Sequence, residues 1–386
     1  MSLSEIEEEA RSATPPAASG GSRHPAARRR VLPLWERLLF TCIVVTVVAS
    51  LPEIFLRITN LDRHVFSDPY ENQIGFFKLL TYDPVLYWRG RAFAAIPDTH
   101  EQLNSRGFRG PEFQDAKPPG TLRVVCMGDS ATFGLVNDVP NHFTYNPTYS
   151  GELGRMLKAR FPGHTVEVMN AGVIGYSTLQ GLRLLKFEVR HWQPDIITIR
   201  YGFNDHLGVE PNYFPTFEPR NLLLRWAQDT ALEFRTYQFL TLVRTHIQWR
   251  AVTHGVPRGV RVPLEEFDYN LRRMVEEGRR TGARIILLTA PMAPLVPEIT
   301  SNKSFLDPAG FSSYDALLAT HREYEDAVRR VAAALQIDLV DSSRELEARG
   351  LGQFFSRYDV AHPNGNGHIA IAGELADLIT AKQLIQ

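Results

Sequence analysis

The sequence lacks the features that define several large classes of protein. It has two cysteines, Cys42 in an apolar run and Cys126 in a predicted strand, and neither lies in a C-x-x-C or similar metal-ligand spacing. We therefore do not expect a disulfide framework. It also lacks an excess of basic charge, because 42 Lys and Arg are balanced by 43 Asp and Glu. The broad positive surface that nucleic-acid binding requires is missing.

Motifs for common cofactors are missing as well. The sequence contains no P-loop, and the G-x-G-x-x-A match at Gly365, Gly367 and Ala370 has no predicted strand before it, as a dinucleotide site would need. No G-x-S-x-G nucleophile elbow is present, which argues against the α/β-hydrolase fold. We expect no cofactor and no metal ion.

One long apolar run stands near the N-terminus. Residues 1–33 contain few large apolar side chains and are predicted to form a disordered cytoplasmic tail, in which three arginines occupy positions 28–30. Residues 34–58 are predicted to be a transmembrane signal anchor, since positions 38–52 carry no charge and the apolar stretch continues beyond Glu53. The arginines predict that the N-terminus stays in the cytoplasm and that the rest of the chain lies outside it, bound to the membrane through the anchor.

Two other interpretations of the run remain open. It could be a signal peptide cleaved after Val47, Val48 and Ala49, which would leave a secreted protein, or a helix buried in the core. Residues 59–119 are predicted to be a juxtamembrane or approach segment.

From residue 120 to 386 short apolar strands alternate with longer helical stretches, which predicts one domain with a three-layer α/β/α fold and a mainly parallel five-stranded sheet. The predicted strands are 122–127, 166–169, 196–200, 285–289 and 337–340. The predicted helices are 150–160, 178–190, 264–280, 314–335 and 367–382. Residues 206–262 look like a helical insertion between the third strand and its helix.

Residues suited to acyl transfer follow these strands, where ligands bind in open α/β sheets. Ser130 follows the first strand and is a candidate nucleophile. A late loop brings Asp359 three residues before His362, so it can present a base beside the carboxylate that orients it. Gly175 follows the second strand and Asn204 the third. Their backbone and side-chain N–H groups, with that of Ser130, are candidate oxyanion donors.

Four blocks, G-D-S, N-A-G-V-I-G, G-F-N-D and D-V-A-H-P-N, occur in the order found in the SGNH (GDSL-type) hydrolase superfamily, which residues 120–384 resemble. The resemblance implies a flavodoxin-like SGNH fold, Ser130 as nucleophile, the Asp359/His362 pair, and oxyanion donors at Gly175 and Asn204. Gly175 is aligned with the family's catalytic glycine because that glycine stands last in its block. The approach segment 104–110 is similar to one that precedes G-D-S in membrane-anchored bacterial members.

Two alternatives to a catalytic site remain open. Asp359, His362 and His368 could form a metal cluster, although His368 lies at the start of a predicted helix, where it packs or caps. The chain could also be a catalytically silent relative that uses the cleft for binding or assembly.

The insertion 206–262 combines aromatic and basic residues. It is predicted to form either a lid over the substrate or an amphipathic helix packed on the core, since positions 240, 243 and 247 have helical spacing. Contact with the membrane surface remains a third interpretation. Its aromatic residues are Tyr213, Phe214, Phe217, Trp226, Phe234, Tyr237, Phe239 and Trp249.

The sequence as a whole predicts a serine esterase or O-acyltransferase that acts through an acyl-serine. The resemblance and the predicted location imply that its substrates are O-acyl, above all O-acetyl, groups of an extracytoplasmic glycan. A lipid esterase at the membrane surface and a catalytically silent binding or assembly module are the alternatives.

Overall fold

The computed structural model describes residues 32–63, 75–139, 142–145, 147–208, 216–251, 259–293 and 311–384. Most of the predicted tail 1–33, and two stretches of the predicted insertion 206–262, lie outside the described residues. The chain divides into two units, residues 1–54 and 55–386.

Helix α1, Leu34–Thr59, is the one helix of the described residues that is long and apolar enough to cross a membrane. Its Leu, Val and Ile side chains are exposed along most of its length. A helix of this kind fits a membrane anchor or a signal sequence. Its exposure does not fit a helix buried in a core, because such a helix would hide those side chains.

The second unit is built on a parallel five-stranded sheet. Its strands are β3 (Thr121–Gly128), β6 (Thr165–Gly172), β7 (Ile196–Arg200), β8 (Arg284–Leu288) and β9 (Asp338–Val340). Their order in the sheet is β6-β3-β7-β8-β9. Numbered along the chain, this is the flavodoxin-like order 2-1-3-4-5, whose topological switch point lies between its first and third strands, here β3 and β7.

Helices cover both faces of the sheet. The helices of this unit are α2 (Ser130–Phe133), α3 (Tyr149–Arg160), α4 (Thr178–Phe187), α5 (Phe203–His206), α6 (Leu222–Leu232), α7 (Arg235–Ala251), α8 (Leu264–Arg280), α9 (Tyr314–Leu335), α10 (Ser342–Ala348) and α11 (Gly365–Ala381). Alternate strand residues point to opposite faces, so Ile285 and Leu287 pack with α4, α8 and α9, while Ile286 and Leu288 pack with α3 and α11. The predicted three-layer architecture is confirmed.

Two antiparallel hairpins accompany the sheet and were not predicted. One pairs β1 (Leu80–Asp83) with β2 (Tyr87–Gly90), and the other pairs β4 (Leu135–Val139) with β5 (His142–Tyr145). All five predicted strands are present. The helix predicted at 178–190 ends earlier, at Phe187, and the chain continues in a 3-10 turn, Val189–His191.

Candidate active site

The turn after β3 presents Ser130 at the carboxyl edge of the sheet. Asp129 caps α2 by accepting a hydrogen bond from the Ala131 N–H at 2.9 Å, which makes Ser130 the first residue of this short helix. Gly128 has to be glycine, because a Cβ there would lie 1.9 Å from the Thr132 hydroxyl oxygen and 2.8 Å from the Arg200 carbonyl oxygen. The tight turn therefore follows from the residues on both sides of the serine.

His362 lies between Ser130 and Asp359. Its Nε2 atom is 2.8 Å from the Ser130 hydroxyl oxygen, and its Nδ1 atom is 2.8 Å from Asp359 Oδ2. A carboxylate oxygen accepts, so Nδ1 carries the proton and Nε2 is left to accept from the serine. The structure thus brings together the three residues that the sequence predicted as nucleophile, base and orienting carboxylate.

The Asp359 carboxylate is held by main-chain donors. Its Oδ1 atom accepts from the N–H groups of Ala361 and His362, both at 2.9 Å, and its Oδ2 atom accepts from the Asn137 N–H at 2.7 Å. These bonds fix the carboxylate plane against the imidazole of His362. The base is oriented by a group that is itself fixed.

Two opposing effects set the pKa of His362. Burial lowers the pKa, and the positive charge of Arg200 also lowers it, whereas the charge and hydrogen bond of Asp359, with the charge of Asp129, raise it. The net result is a pKa above the ordinary value of 6.5. A more basic imidazole accepts the serine proton more readily, but it needs a higher pH to be free of its own proton.

Asn204, at the start of α5, reaches the serine turn through Asp129. Its Nδ2 atom lies 3.3 Å from Asp129 Oδ2 and 3.2 Å from the carbonyl oxygen of Tyr176. Tyr176 is the residue after Gly175, so Asn204 connects the segments that follow β3 and β6. Both N–H groups of the amide have these acceptors, at long distances of 3.2 and 3.3 Å, so Asn204 serves an oxyanion only when one of the two bonds is released.

Gly175 adopts a positive φ of 81°, in the turn after β6. Its carbonyl oxygen accepts from Arg261 at 2.7 Å, and its N–H makes no hydrogen bond within the described part of the chain. The N–H of Gly172, the other glycine of this block, already donates to Asn170 at 2.9 Å. A donor committed to Asn170 is a poor candidate for an oxyanion, so Gly175 remains the better choice.

Four further residues that support the site were not singled out from the sequence. Asn137 and Phe143 belong to the hairpin β4–β5: Asn137 binds Asp359, and the edge of the Phe143 ring faces His362 with 6.2 Å between ring centroids. Alternating apolar residues at 135–145 were the available signal for this hairpin. Arg109, in the approach segment, donates to the carbonyl oxygen of Phe133 at 3.0 Å and so supports the end of α2.

Arg200 is the fourth residue that supports the site and was not singled out from the sequence. It lines the small pocket that holds Ser130 and His362, is 1% exposed, and lies 3.7 Å from Asp129. A charged residue at the end of a predicted buried strand was the signal for it.

His368 packs beneath this site. It is fully buried, and its Nδ1 atom accepts from the N–H of Tyr149 at 3.2 Å. Burial, reinforced by the positive charge of Arg200, lowers its pKa to about 3, so the ring is neutral. The position agrees with the interpretation of His368 as a packing residue.

The sequence profile of the GDSL-like Lipase/Acylhydrolase family matches residues 126–370, from β3 into α11. The chain belongs to this family. It is accordingly a serine hydrolase, an esterase or acylhydrolase of the GDSL family, which was predicted. No curated protein sequence matches the chain.

Solved structures of two ester-hydrolysing enzymes are similar to this family member. A lipase/acylhydrolase from Enterococcus faecalis is 19% identical with a TM-score of 0.43, and the match covers 68% of this chain and 96% of that one. Axe2, an acetylxylan esterase from Geobacillus stearothermophilus, is also 19% identical with a TM-score of 0.42, and covers 67% of this chain and 94% of its own.

Proposed function

We propose that this protein removes O-acetyl groups from an extracytoplasmic glycan through an acyl-serine formed at Ser130. The observation that carries the proposal is the pair of 2.8 Å contacts that connect Ser130 through His362 to Asp359. Serine is a weak nucleophile at neutral pH, and this arrangement supplies the base and the orientation that acyl transfer to serine needs.

In the proposed reaction the Ser130 oxygen attacks the ester carbonyl while His362 Nε2 takes the hydroxyl proton. The N–H groups of Ser130 and Gly175 and the Asn204 amide stabilise the negative charge that develops on the carbonyl oxygen. Collapse of this intermediate breaks the ester bond, and His362 returns the proton to the departing sugar hydroxyl. A water molecule, deprotonated by His362, then attacks the acyl-serine; the bond to Ser130 breaks, His362 returns the proton to the Ser130 oxygen, and acetate leaves.

The position of the serine relative to the end of α1 favours a glycan over a membrane lipid. Asp62, three residues beyond α1, is bound by Arg235, and Glu233 nearby lies 3.7 Å from Arg190. Arg190 precedes β7 and so belongs to the amino edge of the sheet, whereas Ser130 follows β3 at the carboxyl edge. Across a strand of five residues the two edges are about 17 Å apart. A serine at the far edge suits a substrate in the aqueous compartment.

The compartment is proposed from the N-terminal sequence. Three arginines precede the apolar helix α1, and a positive flank of this kind keeps the N-terminus in the cytoplasm. A reporter fused after residue 386 is expected to be active only outside the cytoplasm, with the protein retained by membranes after a carbonate wash. Release of a soluble species that begins near Ser50 would establish the signal-peptide alternative.

The activity is tested with the purified full chain. We expect a fluorophosphonate to label the protein, Ser130→Ala to abolish labelling, and acetate to be released from acetylated oligosaccharides by the unsubstituted protein alone. Adding an unacetylated oligosaccharide and measuring acetyl transfer to it separates hydrolysis from the acyltransferase alternative. Hydrolysis of lipid esters in vesicles with no release from any acetylated glycan would overturn the glycan proposal. Absence of labelling and of all ester hydrolysis would favour the silent binding module.

A further inference from the structure

Helix α6 turns apolar side chains toward solvent and charged side chains toward the core, a pattern called reversed polarity below. Its first turns expose four large apolar side chains, each at least 60% exposed: Leu222, Leu223, Leu224 and Trp226. Its charged residues face inward instead. Arg225 is half-buried and donates to the hydroxyl of Tyr269, and Asp229 pairs with the buried Lys186 at 2.5 Å. A helix that faces water normally shows the opposite arrangement.

Helix α7 follows after two residues and repeats the pattern on one face. Its most exposed positions are 237, 240, 244 and 247, spaced three and four apart, so they lie along one side of the helix. The residues are Tyr237, Leu240, Arg244 and Ile247, with Leu240 and Ile247 each about 60% exposed. Two successive helices therefore each expose large apolar side chains, together with aromatic and arginine side chains. Single surface leucines need no explanation, but a set of this size on two neighbouring helices marks an interaction site.

The start of α7 is attached to the chain just beyond α1. Arg235, the first residue of α7, makes two hydrogen bonds to the Asp62 carboxylate, at 2.6 and 3.0 Å, and a third to the Asn60 side chain at 3.0 Å. Asn60 directly follows the last residue of α1, Thr59. If α1 spans a bilayer, as the proposed function assumes, its end lies at the bilayer surface and Arg235 lies there too.

We propose that α6 and α7 form a membrane-docking surface that rests on the same bilayer in which α1 is anchored. The exposed leucines, isoleucine and tryptophan enter the boundary between head groups and acyl chains, and Arg244 reaches lipid phosphates. Three observations favour a bilayer over a protein partner: the attachment at Arg235, the reversed polarity of α6, and the mixture of Trp, Leu and Arg that is typical of interfacial helices. Docking of α6 and α7 turns the carboxyl edge of the sheet, and with it Ser130, toward the aqueous compartment.

Site-directed spin labelling of the full chain in proteoliposomes tests this surface. Cys42→Ser removes the exposed thiol, and Cys126 is buried, which allows single labels at Leu223→Cys and Ile247→Cys. Ile369→Cys on α11 is the matched control, because Ile369 is also an exposed apolar side chain, at 45%. We expect labels at 223 and 247 to collide mainly with oxygen, as in lipid, and the label at 369 to collide mainly with a water-soluble nickel reagent.

Equal nickel accessibility at all three positions would overturn the proposal. Protection at 223 and 247 that persists in detergent, with a short label-to-label distance between two copies, would assign the surface to self-association and would also overturn it. Failure of the anchor is measured separately by the carbonate wash. If the protein is released, the same labels are recorded with the released protein added to vesicles that contain anionic lipid, where protection still supports docking and its absence refutes it.

Discussion

Substituting Asp359 by asparagine is the sharpest test of the site, since every contact of this carboxylate is defined. Oδ2 accepts from His362 Nδ1 at 2.8 Å and from the Asn137 N–H, while Oδ1 accepts from two N–H groups of its own loop and lies 3.0 Å from the same Nδ1. An asparagine has one acceptor oxygen. If that oxygen keeps the two loop N–H groups, the NH₂ group takes the shorter contact with His362, and this favours Nδ1 as an acceptor. Its proton then sits on Nε2, which no longer accepts from Ser130.

The expected loss follows from this tautomer. The wrong tautomer at a triad histidine lowers kcat by about 10⁴-fold, which corresponds to about 5 kcal/mol of transition-state stabilisation. The free energy of unfolding should fall by less, because one buried N–H donor left without a partner costs about 1–3 kcal/mol. The variant should therefore fold. Since Asp359 is the main group that raises the pKa of His362, the acid limb of the pH–rate profile should also move to lower pH.

The assay is hydrolysis of p-nitrophenyl acetate between pH 5 and 9, with thermal unfolding measured on the same samples. Asp195→Asn is the matched control: Asp195 also accepts a main-chain N–H, from Arg123 at 2.7 Å, but stands at the opposite edge of the sheet. We expect the control to keep kcat/KM close to that of the unsubstituted protein. If Asp359→Asn stays within about ten-fold of the unsubstituted protein and its acid limb does not move, Asp359 does not orient the base and the reasoning fails.

Three further outcomes are expected. Ser130→Ala, His362→Ala and the double variant should lose nearly the same activity, because the members of a triad act as one unit; additive losses in steady-state kinetics would contradict the assignment. Asn204→Ala should lower kcat by about 10² to 10³-fold with little change in KM, whereas a change in KM alone would make Asn204 a substrate-binding residue. Burial raises the pKa of Asp205 from 3.8 to about 7, so the stability that the protonated carboxyl contributes is fully present at low pH and is lost as the pH rises from 3.8 to about 7. Asp205→Asn stays neutral, so its Tm relative to the unsubstituted protein should rise from pH 5 to about 7 and then level off, and a constant difference over pH 5 to 7 would show that Asp205 does not titrate there.

The sheet and its active edge were predictable from sequence because both depend on local patterns. Short apolar runs separated by helical periods define the parallel strands, and Ser130, Asn204 and the Asp359/His362 pair stand where strands or their loops end. The order of the strands along the chain then brings these distant positions to one edge.

What was missed depends on contacts that side-chain patterns do not encode. Asn137 acts on Asp359 through its main-chain N–H, and any residue type except proline has one. Arg200 is a polar residue at the end of a strand in the sequence. Its position beside the serine turn depends on the pairing of β7 with β3, which the sequence pattern does not show. The orientation of α6 could not be predicted from the sequence either. Periodicity shows that a helix has an apolar face but not which face is turned to the core.

The bond from the Asn137 main chain to Asp359 has a consequence for how this family can vary. A contact made by the peptide group survives nearly every substitution, so the orientation of the base is kept even when a change at residue 137 removes its side-chain bond to the Tyr358 carbonyl oxygen. Only proline, which has no N–H, would remove the main-chain bond. Relatives that differ at this position can therefore share the same catalytic geometry, and an alignment column without any preferred side chain can still mark a residue on which the active site depends.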